Sequence, residues 1–223
     1  MQRAKLVLAA ACLLATASPR LFAQGFDGVI QFVSYENHQD RADTLTQMTK
    51  GDKLRMEGMG HGGAMIMDGS SRIIILPEQK QYMELPMNMG DNAAARESMK
   101  HRGTAEKTGK TETIAGIPCE DWHYKGTDEK DQPAEGDVCV ARGAGLMVGR
   151  LAGGMAQHMF DQGGPAFNEM MKNGGGILKA TKNGKTSFIA VKAQATSLPD
   201  AMFAPPAGYT KMDGSMMNQT HKP

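Results

Sequence analysis

Turn signals cut this chain into short pieces, and their spacing constrains the fold more than any single motif. The sequence holds 223 residues, 27 of them glycine, and between the turns lie apolar runs of strand length that change side every residue. Phe26–Glu36 sets Val29, Gln31 and Val33 against Ile30, Phe32 and Ser34. Ala42–Glu57 reads as two strands joined at Lys50-Gly51-Asp52. Ala64–Gly69 follows, then Arg72–Pro86 with a turn at Pro77–Lys80. Lys110–Gly126 and Glu135–Gly143 read as two more strands, with a charged loop over Asp128–Glu135. Ile177–Gln194 carries Asn183-Gly184, the strongest two-residue hairpin signal. Met202–Met212 shows little regular structure. The pattern predicts an antiparallel meander.

Two segments break the strand period. Val148, Leu151, Met155 and Met159 recur at helical steps within Ala144–Phe160. Pro165 is placed to open a second short helix, Pro165–Asn173, which Gly174 ends. A further short helix fits Asn92–Lys100, capped by Asp91 or Asn92; otherwise that stretch is a loop.

The N-terminus reads as an export signal. Arg3 and Lys5 precede an uncharged run from Leu6 to Ala17, and Ala23 is a small exit residue. The run is too short to cross a bilayer, which takes ~20 residues. Cleavage is expected after Ala23, with Ala15-Thr16-Ala17 as the competing site. Cys12 raises lipidation as an alternative, but Ala9 stands where a lipobox has a large aliphatic residue. The reading is a signal peptide over 1–23, one domain over 24–212 and a flexible tail over 213–223. It places the protein in the periplasm or outside the cell, with outer-membrane association as a variant. Cleavage removes three cations and leaves 22 against 24 acidic residues. Such a near-neutral chain with no basic run offers nucleic acid no footprint.

Cys119 and Cys139 remain after cleavage. Two cysteines in an exported chain most simply form one disulfide; the alternative is a pair of buried thiols. Catalytic signals are missing. Gly103–Thr111 resembles a phosphate loop, but five residues separate Gly103 from Gly109 where four are needed, and a strand follows. Neither a G-x-S-x-G elbow nor an H-E-x-x-H helix is present. Glu120 and Asp121, being adjacent on a strand, point to opposite faces. The chain is therefore read as no enzyme.

Methionine is the unusual residue, with 19 in the sequence. Met56, Met59 and His61 flank a glycine loop with the spacing of a soft-metal motif, and thioethers favour Cu(I). Met65 and Met67 share a strand face, as do Met83 and Leu85. Methionine is also flexible and polarisable, which suits a cavity that adapts to apolar ligands.

Several stretches together resemble a family of exported bacterial proteins, the domain-of-unknown-function family numbered 4412. They are Lys50–Gly58, Met65–Gly69, Pro77–Leu85, Lys107–Trp122, Cys139–Gly143 and Leu198–Met212. "TGKTETIAGIPCEDW" and "FAPPAGYTKM" are the most specific. The resemblance implies a fold similar to the periplasmic lipoprotein carriers LolA, LolB and RseB. That fold is α+β but mainly antiparallel, a curved half-barrel sheet whose concave face is covered by a short helical pair. It carries no catalytic residue over. Under it, Met65, Met67, Met83, Leu85, Val148, Leu151, Met155 and Met159 would line a cavity between sheet and helices. The expectation is a non-enzymatic exported protein holding a lipid or acyl group. The alternatives are Cu(I) binding through Met56, Met59 and His61, with copper the one cofactor in view, and a structural envelope protein.

Overall fold

The structure is a computed structural model describing residues 26–35, 42–59, 62–68, 71–86, 103–127, 132–142 and 175–212. These residues form one open twelve-stranded sheet. In chain order the strands are β1 Gly28–Ser34, β2 Asp43–Lys50, β3 Lys53–Met59, β4 Gly63–Met67, β5 Ser71–Leu76, β6 Gln81–Pro86, β7 Gly103–Ile114, β8 Ile117–Thr127, β9 Pro133–Ala141, β10 Gly176–Lys182, β11 Lys185–Ala195 and β12 Thr210–Lys211. Their order across the sheet is β12-β6-β5-β4-β3-β2-β1-β11-β10-β9-β8-β7. Neighbours run antiparallel except β12, which lies parallel to β6.

Local chemistry accounts for the turns. Asn183 and Gly184 both take positive φ, 50° and 76°, which is what a two-residue hairpin turn requires. Ala115 and Gly116 do the same at 50° and 82°, so the segment expected to be one strand over Lys110–Gly126 is split into β7 and β8. An alanine in a turn position that favours Asn or Gly hid that split. Gly58 has φ 89°, and a Cβ there would lie 2.1 Å from the Thr44 carbonyl oxygen. Only glycine fits, and the β3–β4 register shifts beside it.

The two halves of the sheet bury separate cores. In one, the stacked rings of Phe32 and Phe188, 4.6 Å apart, join Ile30, Trp122, Val138, Val140 and Ile177. In the other, Met48, Ala64, Ile66, Ile73 and Ile75 pack against Leu198 and Phe203. Leu198 and Phe203 belong to a strap that leaves β11, runs through a short 3-10 turn at Asp200–Phe203 and ends in β12. Arg55 donates to the Met202 carbonyl oxygen at 2.9 Å, while Lys50 and Lys53 hold Asp200.

The expected α+β half-barrel is therefore corrected. Among the described residues there is no α-helix, and the segment seen covering a sheet face is this extended strap rather than a helical pair. Hydrophobic alternation and turn residues drive nearly every described segment into the ladder. The segments read as helices, with Val148, Leu151, Met155 and Met159, lie outside the described residues, as do the signal peptide and tail. No helix of the described residues is long and apolar enough to cross a membrane.

Candidate functional site

Register decides which side chains can meet, because residues directly opposite each other project from the same face. One row runs Ile30, Gln47, Met56, Met65, Ile74 and Met83 across β1 to β6. The next runs Thr49, Leu54, Met67, Arg72 and Leu85 across β2 to β6. The strap lies on the other face, over Ile66, Ile73 and Ile75. The same strands thus carry two different surfaces, with Ile66, Ile73 and Ile75 towards the strap and four methionines beside Ile74, Leu54 and Leu85 away from it.

At β3 and β4 the methionine face is closed to solvent: Met56 is 8 %, Met65 5 % and Met67 1 % exposed. At β5 and β6 it opens, and Ile74, Met83 and Leu85 are half-buried. With strands ~4.8 Å apart, Met56 to Met83 spans about 14 Å. Two polar side chains sit within this surface. Gln47 and Thr49 are each 2 % exposed, and Gln47 Nε2 donates to Thr49 Oγ1 at 3.1 Å. Arg72 projects from the same face between Met67 and Leu85, and its Nε is buried without a hydrogen-bond partner.

Met65, Met67, Met83 and Leu85 are therefore brought together on one face, and Met56 joins them instead of standing apart with a loop. Met59 pairs with Gly63 past the bulge; His61 lies outside the described residues. Alternation along a strand gave Met65 with Met67 but not Met56 opposite Met65, which requires the hairpin register. Gln47, Thr49 and Arg72 were missed. Their signal was a polar residue at a position where the alternation places an apolar one.

A second cluster lies over the disulfide. Cys119 in β8 and Cys139 in β9 are bonded, with Cα atoms 5.4 Å apart. Beside them is a depression of about 180 Å³ lined by Lys110, Glu112, Asp121, Asp137, Lys179 and Thr181. Lys179 Nζ donates to both Glu112 oxygens at 2.9 Å. Asp121 is 9 % exposed. Burial raises its pKa above the usual carboxylate range, and the Glu112 charge adds to this while Lys179 opposes it. A raised acid in a depression is a mark of a catalytic site. Here the nearby sulfurs are tied up in the disulfide. No group of three or more His, Cys, Asp or Glu among the described residues is arranged to hold a metal. The cluster reads as the polar rim of a cross-linked core.

A profile of the family described as "Domain of unknown function (DUF4412)" matches residues 26–209. The chain belongs to that family. The match takes in both cores, the methionine face and the strap of this DUF4412 chain up to the start of β12. No curated protein matches the sequence. Among solved structures, it is similar to an uncharacterized conserved protein from Thermus thermophilus, at 10% identity and a TM-score of 0.46, over 85% of this chain and 91% of that one. It is also similar to MucB, at 11% identity and a TM-score of 0.42, over 85% of this chain and 61% of that one. Likenesses at this level say nothing about ligand or activity.

Proposed function

We propose that this DUF4412 chain is an exported, non-enzymatic binding protein that holds an apolar lipid or acyl ligand against its methionine face. The observation that supports this most is the contrast between the two faces of β3 to β6. The face that packs on a fixed partner, the strap, uses Ala64, Ile66, Ile73 and Ile75. β-Branched side chains are stiff and suit one fixed neighbour. The opposite face of the same strands uses Met56, Met65, Met67 and Met83, with Ile74 its one β-branched residue. Thioether chains adapt to partners of varied shape. Half-burial at β5 and β6 leaves that face a way in from solvent.

The test is native mass spectrometry of protein exported to the periplasm and purified gently. The proposal expects an adduct of lipid mass that leaves on unfolding and extracts into organic solvent. A bare chain after exposure to membrane lipids would overturn it. A second reading, Cu(I) binding, is favoured by Met56 standing directly opposite Met65, since two soft sulfurs on one face can share an ion. It expects instead a copper-mass adduct that a Cu(I) chelator removes. That adduct should also vanish on replacing Met59 and His61 with Leu and Ala, if these complete the site.

A further inference from the structure

Arg72 differs from the paired arginine and lysine side chains of the sheet. Arg55 is paired with Glu57 and the Met202 carbonyl, Lys179 with Glu112, and Lys50 and Lys53 with Asp200. Lys107 and Arg142 share Glu120, and Lys211 holds Glu84. Among the described residues Arg72 has no such partner, and its Nε is buried and unsatisfied. Its neighbours in register are Met67 and Leu85. Glu84 pairs with Ile73 and so projects from the opposite face. Asp68 is engaged with Ser71, accepting from its backbone N–H at 2.9 Å.

A guanidinium stays charged at any physiological pH and presents its donors as a planar fork that matches a carboxylate. Arg72 as a whole is half-buried, and an anion would satisfy the one donor that is sealed without an acceptor, its Nε. Among the described residues, Arg72 is the one cation in register on the methionine face of β1 to β6. A single fork with no second cation beside it fits a monoanion better than a phosphate dianion. It also stands where the face changes from closed to half-open, and from β5 to β1 the rows extend for about 19 Å, apolar except for Gln47 and Thr49 in β2.

We propose that Arg72 anchors the carboxylate of a long-chain fatty acid whose chain lies along Met67, Met65 and Met56; this rests on the apolar-ligand reading above. The headgroup satisfies the Nε and one terminal nitrogen, and the tail runs inward from β5 towards β1.

The test is calorimetric titration of the full mature chain with palmitate and with palmityl alcohol. These share a tail and differ at the head. The wild type should bind palmitate at least ~10-fold more tightly, as a charge-assisted bidentate pair implies. Arg72→Gln should lose that preference and keep its affinity for the alcohol, which also shows that the variant is folded. Arg72→Lys, which keeps charge but not the fork, should fall between. Ligand-free Arg72→Gln should melt no lower than the wild type, because the side chain it replaces has no partner to lose. Equal binding of both ligands by the wild type overturns the anchor and leaves the apolar-ligand reading standing. Binding of neither overturns both. A ligand-free Arg72→Gln protein that melts much lower, with both affinities reduced alike, makes Arg72 a structural residue and also overturns the anchor.

Discussion

Replacing Cys119 and Cys139 together with alanine should lower stability by about 3 kcal/mol, and this value comes from the connectivity. The bond spans a sequence separation of 20, and the chain-entropy relation for a loop of that length gives about 3 kcal/mol at room temperature. Both cysteines are buried, at 4 % and 1 % exposure, so alanine is preferred to serine, which would bury two hydroxyls. For a chain of this size the loss corresponds to roughly 6–12 °C in melting temperature. Urea unfolding of the oxidised wild type, the reduced wild type and the double variant separates the causes. If the bond acts on the unfolded chain, both unlinked proteins lose the same stability, and their denaturant slopes rise because the unfolded state expands. A variant that melts within about 2 °C of the oxidised protein would refute the reasoning. A large loss with an unchanged slope would move the effect from the unfolded chain to packing in the β8–β9 core.

Three further outcomes are expected. Ala115→Asn should raise stability by about 1 kcal/mol, because Ala115 sits at φ 50° in a turn position that asparagine tolerates and alanine does not; a melting temperature that does not rise counts against the turn assignment. Asp121→Asn should be more stable than the wild type at neutral pH. Burial raises the Asp121 pKa, with Glu112 adding to it, so the folded state binds more protons than the unfolded state between the ordinary carboxylate value and the raised one. Wild-type stability therefore falls as pH rises through that window, and the advantage of Asn should disappear below about pH 3.9; a gain that persists in acid would point to packing instead. Met67→Ala, at a side chain only 1 % exposed, should cost about 2–5 kcal/mol by urea unfolding, and a loss under ~1 kcal/mol would mean that Met67 is not buried.

Strand content and most turns were legible because both are local signals. Gly51, Asn183 and Gly184 each mark a hairpin by their own backbone needs. The Cys119–Cys139 bond was legible from composition. Ala115 concealed a turn, since no local rule places alanine at positive φ. The strap was unreadable for a different reason. Leu198–Met212 has no period, and its shape is fixed by contacts far away in sequence, such as Arg55 with Met202 and Lys53 with Asp200. Site residues divided the same way. Same-strand pairs such as Met65 with Met67 follow from alternation. The rows that unite Met56, Met65 and Met83 depend on three hairpin registers, each of which reverses the face if it slips by one residue.

The two faces of β3 to β6 also explain why methionine content alone could not separate a core from a site. Met48 and Met202 pack within the strap core, so methionine there is ordinary filling. On the opposite face the same residue type stands beside Arg72, whose guanidinium Nε is buried without an acceptor. Stability alone gives that sealed donor no role, because an apolar residue of similar volume would fill the place without its desolvation cost. Thioethers could serve either face; the unpaired cation sits on only one. The functional argument therefore rests less on how many methionines the chain has than on which of them share a face with Arg72.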